Sequence, residues 1–281
     1  MALANFIPEV WSKKLLKVFD KTVVMAKLVN RDYEGEIANA GDVVHVRTFG
    51  NIAIQDYTRD SIINFQALTD PMQDLVINQQ KYFAFKVDDL DKAQSDTDIL
   101  EGYAGRAAMA IRDMVDTHLL THTTNVDAGN IIGTNLAPIS LTKTNVYAYI
   151  TELGETLDED NIPAEGRNLV IPPKVKTLLL QSEEFTRASS LGDTVVQNGY
   201  IGNVAGFAVH VTTNMVPNGS NVLDILAFTP DMISFASQVA QVETVRPYDM
   251  FAHAVKGLYL YGSKTFFPKA GAILKVDNAS L

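Results

Sequence analysis

Trp11, Leu15, Val18, Met25 and Val29, with Thr22 among them, recur at spacings of three and four, which predicts one stripe of an amphipathic helix over residues 9–29. Lys13, Lys14, Lys17 and Lys21 lie mostly off that stripe. The pattern suits an arm that packs on a neighbouring subunit; packing on its own domain or on a membrane surface would use the same stripe. Beyond Gly41, the β-branched run from Asp42 to Phe49 predicts a strand, and Leu75, Ile77, Phe83, Phe85 and Val87 mark a second strand-like region. Between them, Asn51 to Asp70 shows no helical stripe and too few large apolar residues to fold alone, so it reads as an extended, projecting loop. A two-stranded projection is marginally stable in water and leaves backbone edges unpaired, so it needs a partner surface, either a neighbour or its own domain. Candidate intersubunit contacts are therefore Trp11 on the arm and Asn51, Ile54, Tyr57, Arg59 and Phe65 on the loop.

A long helix is predicted from Ser95 or Asp96 as cap, with Asp98 and Glu101 placing negative charge in its first turn. Leu100, Tyr103, Ala107, Ile111, Met114, His118 and His122 then keep helical spacing until Gly129 and Asn130 end the pattern. At 1.5 Å per residue this makes a spine of roughly 40 Å. Gly105, Ala107, Ala108 and Ala110 would let another element approach it closely.

After residue 140 the elements shorten: a helix near 143–157, a strand at Leu169–Ile171, a helix opening at Pro172-Pro173, and strands at Phe207–Val211 and Val222–Phe228. The tail from Val242 to Val276 alternates apolar and polar residues as strands do, and its strands are expected to return to the spine. The fold class expected is α+β.

Composition narrows the function. The chain of 281 residues carries 23 Lys and Arg against 33 Asp and Glu, a formal charge of −10, which repels polyphosphate and argues against tight nucleic-acid binding. There is no cysteine, so disulfides, thiolate zinc sites and cysteine nucleophiles are excluded. No stretch is long and apolar enough to span a bilayer as a helix, and the N-terminus lacks the unbroken apolar core of a secretory signal, so cytoplasmic synthesis is expected.

Catalytic motifs are missing as well. There is no P-loop, and Gly199, Gly202 and Gly206 do not have dinucleotide-fold spacing. His118 and His122 lie one helical turn apart, but without the carboxylate of a zincin motif they are expected to pack or cap the helix end. His45, His210 and His253 fall in separate strand-like segments with no nucleophile signature to recruit them. Asp158, Glu159 and Asp160 lack the alternation and glycine of a calcium loop and read as a solvated helix end. No cofactor and no catalytic or metal site is expected.

Three stretches together resemble the major capsid (coat) proteins of tailed bacteriophages. The first is Phe6-Ile7-Pro8-Glu9-Val10-Trp11, followed by Leu28 to Ile37 and Gly41-Asp42-Val43-Val44. The second is Phe85 to Asp91, running into the long helix with Tyr103, Arg106, Ala107 and Ala108. The third, and most specific, is Asn161-Ile162-Pro163 through Gly166-Arg167 to Leu169-Val170-Ile171-Pro172-Pro173, then Phe185 to Ala188, Gly199 to Gly202 and Gly206 to Val209.

The resemblance implies the Hong Kong 97-like fold: an N-terminal arm (1–34), an extended β-hairpin loop (35–80), a peripheral domain with the spine helix (81–138 and 240–281) and an axial α/β domain (139–239). It implies self-assembly into hexamers and pentamers of an icosahedral head enclosing double-stranded DNA, inside the virion, after assembly in the host bacterial cytoplasm. Expected partners are other copies of the chain, scaffold and portal proteins and a decoration protein, with the DNA enclosed but not tightly bound and no membrane. Some relatives weld subunits by a lysine to asparagine bond from the extended loop, but residues 31–80 contain no lysine, so no such weld is expected from it. The arm motif begins close to Met1, which implies a separate scaffold protein or an earlier cleavage. Two other readings compete: an encapsulin-like bacterial nanocompartment shell on the same fold, and a metal-dependent hydrolase using His118, His122 and the acidic residues.

Overall fold

The computed structural model describes residues 25–33, 43–47, 52, 54, 56, 72–88, 98–183, 202–215, 217, 221–246 and 252–279. In chain order its elements are α1 (Met25–Leu28), β1 (Val43–Arg47), β2 (Met72–Val76), β3 (Gln79–Asp88), α2 (Asp98–Leu120), β4 (Ile131–Ile132) and α3 (Val146–Glu159). There follow β5 (Asn168–Ile171), α4 (Pro173–Leu180), β6 (Asn203–Val204), β7 (Phe207–Val211), β8 (Val222–Phe228), β9 (Ile233–Val245), β10 (Ala252–Thr265) and β11 (Gly271–Asp277).

Three sheets organise the described residues. The six-stranded sheet has the order β4-β11-β8-β5-β7-β6 and mixes parallel with antiparallel pairs. Both of its faces are covered, which is why β5 reads Asn-Leu-Val-Ile with no outward polar position and all four residues are buried. Leu169, Ile171, Ile225, Ala227, Ala272 and Leu274 meet Ile150, Leu153 and Leu157 of α3 and Val175 and Leu179 of α4. From the opposite face, Val170, Leu226, Phe228 and Ile273 join a second core that reaches the long helix through Val115 and Leu119 and the three-stranded sheet through Phe235, Tyr259 and Tyr261. That smaller sheet has the order β3-β10-β9 and is antiparallel throughout.

The long helix α2 is described from Asp98 to Leu120, a rod of about 35 Å at 1.5 Å per residue, and closes in a 3₁₀ turn at Thr121–Asn125. The expected helix near 143–157 is shifted to Val146–Glu159. At the N-terminal end, the last turn of the expected arm helix packs on its own domain: Met25, Ala26 and Val29 are buried against Val115 and Leu119, while residues 9–24 lie outside the described residues. The apolar stripe at Met25 and Val29 therefore serves this chain's own core.

β11, expected to return to the spine, lies in the six-stranded sheet with β4 and places Ile273 in the core that holds Val115 and Leu119 of the long helix, while β9 begins the three-stranded sheet at Ile233. Strand periodicity identifies a strand without naming its partner, and Ala272-Ile273-Leu274 is a short continuous apolar run, as a doubly covered strand requires.

β1 and β2 pair antiparallel as a separate two-stranded sheet. Opposite residues share a face, so Val44 and Leu75 point inward together, whereas His45 and Asp74 pair on the outer side at 2.6 Å. The root is fixed by Val44, Leu75 and Ile77 on Ala236, Leu260 and Phe266. At Gly262 a Cβ would stand 2.4 Å from the Val76 carbonyl oxygen, so only glycine lets the hairpin backbone seat on β10. Gly262→Ala is expected to lower the unfolding free energy by roughly 1–3 kcal/mol in chemical denaturation, because backbone rather than a flexible side chain must move.

Candidate functional site

The candidate site is the apolar surface that the subunit leaves in water. Ile54 is 98% exposed and Ile52 70%, and Met72 and Val76 on β2 are also exposed. Of the expected contact residues, Ile54 is thus placed in solvent, while Trp11, Asn51, Tyr57, Arg59 and Phe65 lie outside the described residues. Asp56 is exposed beside the isoleucines, an alternation that presents two large apolar side chains and a carboxylate along one short segment.

Sequence reasoning missed two further residues that are more than 80% exposed. Tyr82, 82% exposed, stands on the outer face of β3 opposite Leu258 of β10, while Phe83 and Phe85 point the other way, the latter against Tyr103 of α2. Tyr82, Ala84, Glu243, Lys256, Gly257 and Leu258 line a groove of about 420 Å³, its polar rim closed by a Lys256–Glu243 ion pair at 2.8 Å. The alternation that puts Phe83 and Phe85 inward already signals that Tyr82 faces out. Leu136, 99% exposed, sits on a tight turn held by hydrogen bonds between Thr134 and Ala137; a single residue in a turn carries no periodic signal.

The most specific sequence motif is a fold device. Helix α3 ends with Asn161 at a φ of 59°, donating to the Asp158 carbonyl, and with Ile162 donating to the Leu157 carbonyl, each at 3.0 Å. This left-handed cap needs asparagine or glycine at the reversal and an apolar residue after it, which is what Asn161-Ile162 supplies. Arg167 then threads back: its buried guanidinium donates to the Pro163, Ile162 and Gly154 carbonyls and to the Asp158 carboxylate. Asp160 accepts from Asn130 and Lys269, and those hydrogen bonds hold its carboxyl below the ordinary range. The acidic helix end is thus a set of structural ties, not only a solvated terminus.

The two helix histidines are likewise structural. Both Nε2 atoms reach Ser263 Oγ, at 2.9 Å from His118 and 2.7 Å from His122, and His122 Nδ1 lies 3.0 Å from Thr265 Oγ1. His118 also packs edge-on to Tyr261. Among the described residues no cluster of three His, Cys, Asp or Glu could hold a metal ion. Desolvation, reinforced by His118, pulls His122 from 6.5 down to about 4. A depressed histidine binds its proton less readily folded than unfolded, so its stabilising contribution is intact above pH 6.5 and is lost as the pH falls toward 4, by up to about 3 kcal/mol. His122→Gln should flatten the unfolding free energy over that interval, measured by denaturation at successive pH values.

No curated protein sequence matches the chain. Among solved structures, a chain from Mycobacterium phage Che8 is 25% identical, with 90% of this chain and 91% of that chain covered at a TM-score of 0.73. The capsid of cyanophage P-SCSP1u aligns over 92% of this chain and 89% of that chain at 14% identity and a TM-score of 0.76. A virus-like particle from Pyrococcus furiosus aligns over 96% and 99% at 16% identity, with a TM-score of 0.58. The fold is the Hong Kong 97-like fold of phage capsids. The phage capsid protein family matches residues 73–275, from β2 to β11, and the chain belongs to that family as a structural protein of the capsid shell.

Proposed function

We propose that this capsid protein assembles into hexamers and pentamers that close an icosahedral head around double-stranded DNA. The observation that carries this reading is the hairpin: its root is buried, yet Ile52, Ile54 and Met72 stay in water, so the subunit holds out an apolar surface that its own core does not cover. Closed shells need the same contacts at slightly different angles, and a segment anchored at one end and free of the core beyond it supplies contact area that can adjust. Individual contacts stay modest, because association has a large entropic cost and over-strong contacts would lock in misassembled particles.

In this reading the arm, with Trp11, and the loop, with Asn51, Ile54, Tyr57, Arg59 and Phe65, lie on neighbouring copies. The peripheral domain, 81–138 and 240–281, carries α2, and the axial domain, 139–239, carries α3 and α4. The particle forms in the bacterial cytoplasm with a scaffold and a portal protein, accepts a decoration protein, and catalyses no reaction. The acidic balance of −10 supports a wall past which packaged DNA can slide without sticking. A nanocompartment shell would use the same fold; the match of residues 73–275 to the phage capsid protein family favours the capsid.

Deleting residues 50–70 tests the assignment. The shortened chain should stay soluble with a near-native circular dichroism spectrum, yet form no closed particles in negative-stain electron microscopy. Normal shells from the deleted chain would refute the role given to the loop.

A further inference from the structure

Asp116, near the end of α2, is a carboxylate that shell formation leaves without a role. It is 2% exposed, and its Oδ1 accepts the backbone N–H of Met25 at 3.3 Å. Asn214 Nδ2 lies 3.4 Å from Oδ2. A single side chain therefore touches three segments distant in sequence: the long helix, the arm root at residues 25–30 and the turn at residues 212–215.

The arm root is a docked segment. Met25, Ala26 and Val29 pack on Val115 and Leu119, and Asn30 exchanges backbone hydrogen bonds with Ile233 and Phe235. The charged groups acting on Asp116 come from its own helix, Arg112 favouring the carboxylate and Asp113 opposing it. From the arm root it meets the Met25 amide, while Lys27 is exposed; from the turn it meets Asn214, which also reaches Asp113 at 3.5 Å.

Burial outweighs the favourable partners and pushes the carboxyl from 3.8 up to about 6. The arm root is part of that cover. Lifting it would take away both the Met25 amide, which favours the carboxylate, and part of the burial, which opposes it; burial is the larger effect at this carboxyl, so the covered state binds the proton more tightly. By linkage, the proton in turn favours the covered state.

We propose that Asp116 is a proton-operated clasp: docking of residues 25–30 on the long helix takes up a proton at this carboxyl, so the arm root closes more firmly in mild acid and loosens toward neutral pH. The clasp belongs to the subunit and stands whether or not the hexamer and pentamer reading does.

Amide hydrogen exchange of the full-length chain, corrected for the intrinsic effect of pH on exchange, tests it. Between about pH 7.5 and about pH 5, protection of the amides of residues 25–30, relative to those in the middle of α2, should rise roughly tenfold. Asp116→Asn, a neutral side chain of the same shape, should give protection that is high at both pH values and shows no step. Asp113→Asn, at an exposed neighbouring position, should keep the step. A flat profile in the unsubstituted chain, or a step that survives in Asp116→Asn, would overturn the proposal. Should Asp116→Asn not fold, the profile of the unsubstituted chain decides alone.

Discussion

A two-stranded hairpin has no interior, so each apolar side chain beyond its root either finds cover on another surface or stays in water. In this capsid protein the root is seated on Ala236, Leu260 and Phe266, where Gly262 admits the Val76 carbonyl, and the outlying Ile52, Ile54 and Met72 are left exposed. The rest of the subunit is arranged to hold that root still. Two larger cores, one under α3 and α4 and one joining the long helix to both major sheets, supply a body rigid enough to present a hairpin with little support of its own.

Several polar groups fix the joints of that body. Arg167 and the left-handed turn at Asn161 lock the passage from α3 into β5; His118 and His122 lock the end of the long helix onto β10 through Ser263. Across the six-stranded sheet, Lys275 and Asp224 stand opposite each other and pair at 3.1 Å where both are largely buried. Removing either member alone would leave a buried charge unpaired, so pairs of this kind constrain which arrangement the chain adopts more than they add to its stability.

Much of the fold was legible because its elements repeat a period. The stripe through Leu100, Ile111 and Met114 marked the long helix, and the alternation of Phe83 and Phe85 marked β3. What the period does not encode is partnership: β11 read correctly as a strand, while its place in the six-stranded sheet is decided by surfaces distant in sequence. The same limit applies to Met25 and Val29, whose helical spacing was clear while the surface they cover was not. Asn161-Ile162-Pro163 and Gly166-Arg167 pointed to the family, yet they act by closing a turn, and a sequence pattern alone does not separate a folding knot from a contact patch. Ile54 was legible as a contact candidate because an isoleucine in a polar loop has no core to join; Tyr82 was overlooked although its parity was available, and Leu136 offered no signal.

In the proposed shell, surfaces left open in the subunit are closed by other copies of it. Hydroxyl-radical footprinting read by mass spectrometry, applied to free subunits and to purified particles of the same chain, tests it at Ile54 and Tyr82. Assembly should reduce the labelling of Ile54 severalfold while buried residues such as Phe228 stay unlabelled in both states. Equal labelling of Ile54 in subunits and particles would contradict the account.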